Sequence, residues 1–388
     1  MKTKKLKVMS VFGTRPEAIK MCPLVKELGK SPDIHSVVCL TGQHREMVDQ
    51  VMQIFDVQAD YDLQIMRPAQ TLTTITVDIL SKIEEIYIQE RPDIVLVHGD
   101  TSTSFVAALA AFYQKIPVGH VEAGLRTYNP YSPFPEEMNR CLTGRLASIH
   151  FAPTQKNADN LRAEGISTGV YVTGNTVIDA FHSTIKKDYS FKSPELSRIR
   201  FAGRRTILMT AHRRENLGAP LEAICRGVRR IIDEFPDVQI VYPVHPNPRV
   251  RDIVHKNLGG QERVYLTEPL DVEDMHNLMA RSFLVMTDSG GLQEEAPALG
   301  VPVLVLRTET ERPEAVEAGT VEVVGVEENV VYAKAAALLT DHGLYAKMAN
   351  AVNPYGDGHA SERISKTLLA YFGYEIAGAK KLVDAGEC

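Results

Sequence analysis

Residues 283–306 read FLVMTDSGGLQEEAPALGVPVLVL. An apolar run, FLVMT, stops at Asp288-Ser289-Gly290-Gly291; a helical stretch carrying Glu294 and Glu295 follows, and PVLVL begins a second apolar run. This strand–helix–strand order is the signature of a right-handed βαβ unit on a parallel sheet. The same alternation extends outward along most of the chain. In the first half the strands are KVMSVF (7–12), SVVCLT (36–41), DIVLVHG (93–99), PVGHVE (117–122), IHFAP (149–153) and GVYVTG (169–174). Helical patterns such as 71–89 and 103–114 separate them. A second series comprises TILMTA (206–211), VQIVYPV (238–244), VYLTE (264–268), FLVMTD (283–288), PVLVL (302–306) and VEVVG (321–325).

Two series predict an α/β protein of two Rossmann-like domains with parallel sheets. We expect an N-terminal domain over 1–180, a charged connection over 181–205 and a C-terminal domain over 206–356. A closing helix (359–372) and tail occupy 357–388. Doubly wound domains in tandem imply a cleft, with ligands bound beyond the carboxyl ends of the strands, so the functional residues should follow the strands.

Composition narrows the classes. At 388 residues the chain is long enough for two domains; 44% hydrophobic and 24% charged residues are ordinary globular values. The mean hydropathy of −0.13 and the lack of an apolar run near ~18 residues argue against a membrane span. Lys plus Arg number 43 against 49 Asp plus Glu, a net charge of −6, which gives no electrostatic support to nucleic-acid or membrane-surface binding. The opening MKTKKLKVMSVFG lacks a small-residue cleavage site and reads as a first strand, not a signal peptide. Cys22, Cys39, Cys141, Cys225 and Cys388 show neither CxxC nor zinc spacing, and we expect reduced thiols in a cytoplasm. Neither GxGxxG nor GxxxxGK[ST] occurs, so no nicotinamide or ATP motif is present, and no metal-ligand spacing is evident.

Polar residues collect after the strands. In Asp288-Ser289-Gly290-Gly291 the glycines let backbone approach a ligand, Ser289 can cap the helix, and free N–H groups favour an anion such as a diphosphate; an ordinary strand–helix turn is the alternative. His212-Arg213-Arg214 offers donors from another loop, or a solvated turn. After the first strand, Thr14 can cap a helix begun by Pro16, leaving Arg15 free to face the ligand, while Lys20 is a second cation or a solvated helix charge. Asp100 ends a strand, where capping the next helix would suffice as its role. Glu122 interrupts an apolar strand, and a buried carboxylate needs a partner or a use. Glu136 and Glu137 open a helix behind Pro135, where the helix dipole accounts for one of them.

Nine segments recur in order: VFGTRPEAIK, TGQHREM, VHGDTSTS, HVEAGLRT, PFPEEMNR, TAHRREN, YPVHPNP, TDSGGLQEEAPALGVPVL and RPEAVEAGT. Together they closely resemble the non-hydrolysing UDP-N-acetylglucosamine 2-epimerase family, from residue 8 to about 320. The resemblance implies a glycosyltransferase-B-like fold whose last helix crosses back to the first domain. It also implies a cytoplasmic, cofactor-free homodimer that interconverts UDP-GlcNAc and UDP-ManNAc for surface polysaccharide synthesis. UDP contacts would fall on Arg15, Lys20, His212, Met275, Ser289, Gly290, Gly291, Glu295 and Arg312, with Glu295 on the ribose hydroxyls. Catalytic roles would fall on Asp100, Glu122, Glu136 and His212, with Glu136 rather than Glu137 inheriting its role. A second UDP-GlcNAc, acting as activator, would touch Gln43, His44, Glu46, Gln70, Glu136, Arg213 and His245. Position 46 is Glu where Gln is common in the family, and position 69 is Ala where some members carry Arg, so one anchoring charge is missing.

The chemistry explains such a set. The sugar C2 proton has no adjacent carbonyl on the ring, so direct abstraction is unfavourable. Elimination of UDP from C1 acidifies C2–H; carboxylates then remove and return the proton, and preorganised positive potential holds the leaving group. Transfer to an acceptor, hydrolysis to free ManNAc, and nucleotide-sugar sensing without turnover are the competing readings.

Overall fold

Hydrophobic alternation dictates how the first strand sits. In β1 (Leu6–Phe12), Leu6, Val8 and Phe12 join one core cluster while Met9 and Val11 join another on the opposite sheet face. A strand buried on both faces needs helices on both, and the computed structural model supplies them. It describes residues 4–42, 45–67 and 69–375, without the side chains of Arg45 and Glu46.

The chain forms two compact units, residues 4–183 with 355–375 and residues 184–354. In the first unit the strands are β1, β2 (Ile34–Leu40), β3 (Tyr61–Asp62), β4 (Ile94–His98), β5 (Val118–Val121), β6 (Ile149–Ala152) and β7 (Val170–Val172). They form one parallel sheet in the order β3-β2-β1-β4-β5-β6-β7. The second unit holds β8 (Arg205–Thr210), β9 (Val238–Pro243), β10 (Val264–Thr267), β11 (Leu284–Thr287), β12 (Val303–Val305) and β13 (Val321–Val323). Their order is β10-β9-β8-β11-β12-β13, again all parallel. The doubly wound fold class is as the alternation predicts; only the two-residue β3 is additional.

Strand order reverses between β1 and β4 in the first sheet and between β8 and β11 in the second. At such a switch point the neighbouring connections leave to opposite faces, which opens a crevice at the carboxyl edge. The loops flanking these points are Gly13–Arg15 with Gly99–Asp100, and Ala211–Arg213 with Asp288–Gly290.

Helices Arg15–Lys30 and Ala360–Tyr371 cover the same face of the first sheet, where Met21, Leu24 and Leu28 meet Ile364 and Leu368 in one cluster. In the second unit, helix Ala219–Glu234 places Leu221, Ile224, Cys225, Val228, Ile231 and Ile232 along one buried stripe. At roughly 1.5–3 kcal/mol for each fully buried aliphatic side chain, these stripes account for much of the driving force. Residues 184–204, which follow the first strand series, pack on the second unit: the Tyr189 hydroxyl donates to Asp274 (2.8 Å), and Lys186 bonds Glu273 (2.8 Å). No helix among the described residues is long and apolar enough to cross a membrane.

Candidate active site

In the first unit the end of β1 is organised by a capping box. The Thr14 hydroxyl accepts from the Glu17 N–H, and Glu17 accepts in return from the N–H groups of Gly13 (2.9 Å) and Thr14 (2.7 Å). The other Glu17 oxygen accepts from the hydroxyls of Thr101 (2.6 Å) and Ser104 (3.1 Å), beyond β4. One buried carboxylate thus ties together the two loops at the switch point. Thr14 caps the helix as expected, and Arg15 and Lys20 lie in its first turns.

Three carboxylates follow β4 and β5 or begin the next helix. Asp100 does not cap the helix after it; Thr101 does, through the Ser104 N–H. Asp100 instead receives a guanidinium N–H from Arg140 and, at its carbonyl, the amide of Asn139 (2.9 Å). Glu122 does not interrupt β5 but ends it, with φ +62°, a left-handed conformation rare for a long side chain. Its Oε2 accepts from Lys20 Nζ and from the Asn175 amide (2.9 Å), and His98 Nε2 stands 3.7 Å away. Burial pushes the His98 pKa down against the opposing pull of Glu122, favouring a neutral ring. His120, with its pKa lowered by burial to about 3, donates from Nε2 to the Gly99 carbonyl (2.7 Å) and fixes the turn that carries Asp100.

Glu136 and Glu137 divide the labour that the sequence left open. Glu137 is buried and accepts from the N–H groups of Thr127 (3.0 Å) and Tyr128 (2.8 Å) and from Arg140 (3.2 Å). Glu136 is half-buried at the first position of helix Glu136–Leu146, one turn before Arg140, and its side chain makes no hydrogen bond or ion pair among the described residues. Glu137 is therefore structural, and Glu136 is the carboxylate left available.

In the second unit Asp288, fully buried, organises both loops at the switch point. Its Oδ2 accepts from the N–H groups of His212 (2.7 Å) and Arg213 (2.7 Å) and from the Asn216 amide (3.0 Å). The His212 ring lies 3.6 Å from Asp288 Oδ1 and stacks on His245, with centroids 5.0 Å apart and planes within 7°. Burial lowers its pKa despite Asp288, with His245 and Arg213 adding to the effect. Ser289 occupies the N-cap of helix Gly290–Ala298, but its side chain makes no cap hydrogen bond, contrary to the expectation that it caps. Its own N–H donates to the Thr287 hydroxyl (2.9 Å).

Around this uncapped end stand guanidinium groups. A Cβ on Gly290 would lie 3.0 Å from Glu311 Oε1, 3.7 Å from Arg312 Nη2 and 3.8 Å from Arg213 Nη2, so both guanidinium groups and the carboxylate that neutralises part of their charge crowd this glycine. Arg312 donates from Nε to the buried Glu294, and Arg213 pairs with Glu311 (3.2 Å), which also binds Arg307. Burial pushes the Glu311 carboxyl up, but Arg312 and Arg307 outweigh it and hold the pKa low. Glu295 reaches over Gly291, its Oε1 3.2 Å from where a Cβ would be. Met275 is half-buried on helix Val272–Ala280, beside His276.

The second unit thus gathers His212, Ser289, Gly290, Gly291, Glu295 and Arg312 about one helix end, with Met275 on a separate helix beside His276. The first unit joins Lys20 to Glu122 and sets Asp100 beside the helix of Glu136. Of the activator positions, Gln43, His44 and the Glu46 side chain lie outside the described residues. Gln70 holds its own loop, donating to the Ile65 carbonyl (2.7 Å) and accepting from the Arg67 N–H (3.1 Å). Sequence reasoning missed Glu17, His98, Arg140, Asn175, His276 and Glu311. Glu17 alone had a local signal, the T-x-x-E spacing of a capping box; the others depend on contacts between distant segments. Among the described residues no group of three or more His, Cys, Asp or Glu is arranged to hold a metal ion.

Comparison with known proteins matches the sequence and the fold to a family. Residues 26–369 fit the family model described as UDP-N-acetylglucosamine 2-epimerase. The chain is 56% identical to the UDP-N-acetylglucosamine 2-epimerase of Bacillus subtilis over 372 residues, covering 96% of this chain and 97% of the relative. The crystal structure of UDP-GlcNAc 2-epimerase from Neisseria meningitidis bound to UDP-GlcNAc superposes with a TM-score of 0.84 at 50% identity, covering 94% of this chain and 100% of that one. The S. aureus MnaA–UDP co-structure gives a TM-score of 0.86 at 49% identity, covering 95% and 97%. With about half of its residues shared along nearly the whole length of such proteins, the chain belongs to the UDP-N-acetylglucosamine 2-epimerase family.

Proposed function

We propose that this chain interconverts UDP-GlcNAc and UDP-ManNAc by anti elimination of UDP to a 2-acetamidoglucal, followed by readdition. The observation that carries the reading is the uncapped end of helix Gly290–Ala298, which opens on two glycines beside the guanidinium groups of Arg213 and Arg312 and the Glu311 carboxylate. A diphosphate is the anion this arrangement suits, and a tightly held diphosphate is what an elimination needs as leaving group.

The C1–O bond breaks with its electron pair passing to the β-phosphate of UDP. Ser289, Gly290, Gly291, Arg15, Arg312 and His212 take up that charge, while Glu295 and Met275 hold the nucleoside. The C2 proton passes to a carboxylate and C1=C2 forms. Readdition restores the C1–O bond as C2 is protonated on the other face. Asp100 and Glu136 carry the two proton transfers. Glu136 has its side chain unengaged, whereas Glu122, bound by Lys20 and Asn175, positions the sugar. Burial lowers the His212 pKa and favours a neutral ring, which can donate a hydrogen bond to the leaving phosphate.

The enzyme acts as a cytoplasmic homodimer serving surface polysaccharide synthesis, without cofactor. UDP-GlcNAc at a second site, through Gln43, His44, Glu46, Gln70, Glu136, Arg213 and His245, activates it. Sigmoidal kinetics in UDP-GlcNAc, and no conversion of UDP-ManNAc alone, are the expected signs; a hyperbolic response with full reverse rate removes the activator.

Proton NMR with UDP-GlcNAc in deuterated water tests the mechanism. Deuterium at C2 of both epimers is the expected result. Free ManNAc would indicate hydrolysis instead, and neither exchange nor product would return the transferase or sensor readings.

A further inference from the structure

Behind Glu295 stands a buried histidine that the mechanism leaves unused. His276 is 2% exposed on helix Val272–Ala280, and its Nε2 lies 3.4 Å from Glu295 Oε2. Its other nitrogen, Nδ1, is 2.8 Å from the hydroxyl of Thr184, itself fully buried. The three side chains come from separate segments, 184, 276 and 295, and line up as hydroxyl, imidazole and carboxylate.

We propose that Thr184 and His276 are positioning residues that orient the Glu295 carboxylate to receive a vicinal diol, and so make this site selective for ribose over deoxyribose. The proposal rests on the reading above, in which Glu295 takes the ribose of UDP.

A carboxylate only accepts, so an Nε2 without a proton would set two lone pairs against each other at 3.4 Å. When the Thr184 hydroxyl donates to Nδ1, the proton of a neutral ring resides on Nε2 and points at Glu295. That contact, 3.4 Å long, occupies one side of Oε2. The remaining lone pairs of Oε2 and those of Oε1, which lies over Gly291, stay open. Two adjacent sugar hydroxyls are two donors at the spacing of two carboxylate oxygens. A sugar lacking one leaves an oxygen unpaired, which disfavours it. Without the histidine the carboxylate is free to rotate, and the preference weakens.

Isothermal titration with UDP, 2′-deoxy-UDP and 3′-deoxy-UDP tests this on the full chain. The unsubstituted protein should prefer UDP roughly tenfold, the size of one hydrogen bond to a charged group. Glu295→Gln should abolish the preference, and His276→Phe should reduce it to about twofold by the same scale. Thr184→Val, a near-isostere, should fall between, and His276→Gln, whose amide N–H can stand in for Nε2–H, should restore most of it. In turnover, KM for UDP-GlcNAc should rise more than kcat falls. If the unsubstituted protein binds all three ligands alike, Glu295 does not read the ribose, and both that assignment and this inference fall. If Glu295→Gln loses the preference while Thr184→Val and His276→Phe keep it, the ribose assignment stands and the positioning role is overturned. Should His276→Phe not fold, Thr184→Val and His276→Gln decide the matter alone.

Discussion

The two units use the same strand-end geometry for opposite purposes. In the second, two carboxylates serve as scaffold: Asp288 is saturated at one oxygen by two backbone N–H groups and an amide, and Glu294 holds Arg312. Their occupation leaves the uncapped helix end and the guanidinium forks of Arg213 and Arg312 side by side. In the first unit, scaffold carboxylates alternate with available ones. Glu17 and Glu137 are buried and bonded, whereas Glu136, next to Glu137 in sequence, is not. Within this adjacent pair, what the oxygens already accept separates the two carboxylates, although position along the chain does not.

The sharpest way to break this comparison is to treat the adjacent pair separately. Glu136→Gln should lower kcat by about 10²–10⁴, the range for a lost general acid or base, while leaving UDP affinity within about threefold. Glu137→Gln should instead show as lost thermal stability with a smaller fall in kcat. Equal kinetic losses in the two variants would erase the distinction. In the second unit, Asp288→Ala leaves three donors without their acceptor. We expect a loss of about 3 kcal/mol in denaturant unfolding and a parallel loss of UDP binding. Retained stability would show that the loops do not depend on this carboxylate.

Acid should also separate the units. Burial lowers the pKa of His120 to about 3 and of His150 to about 4, on neighbouring strands of the first sheet. Unfolded, both histidines take up protons as pH falls below about 6.5, whereas the folded unit does not. Stability is thus fully present above that value and declines as pH drops toward 4, by about 1.4 kcal/mol per pH unit for each histidine. Hydrogen exchange at pH 5 should rise in peptides over β5 and β6 before those over β8 and β9. A reversed order would contradict the assignment. At the small end, Asp159→Asn, which removes a solvated pair with Arg162 (2.8 Å), should change stability by less than about 0.5 kcal/mol by the same unfolding measurement.

Periodicity made nearly all of the architecture legible. Runs such as KVMSVF and VQIVYPV became β1 and β9 because strands buried on both faces require continuous apolar sequence, whereas Tyr61–Asp62 is too short to leave a pattern. Residue identity also located the strand-end loops. It did not reveal which polar groups were engaged. Ser289 looks like a cap and is not one, and Asp100 stands beside the true cap, Thr101. Glu311 meets Arg213 across 98 residues of chain, a contact set by strand order rather than spacing. His276 sits in an ordinary helical pattern, and only topology brings it to Glu295.

With the roles proposed for Lys20 and Glu122, the left-handed backbone at Glu122 and its shielded ion pair to Lys20 would set durability against activity. Relieving such a backbone conformation gains about 1–3 kcal/mol, and exchanging a shielded ion pair for matched neutral residues is often stabilising by a similar amount. A laboratory selection that scores heat resistance alone should therefore accumulate paired neutral replacements at 20 and 122, yielding robust proteins that no longer turn over substrate.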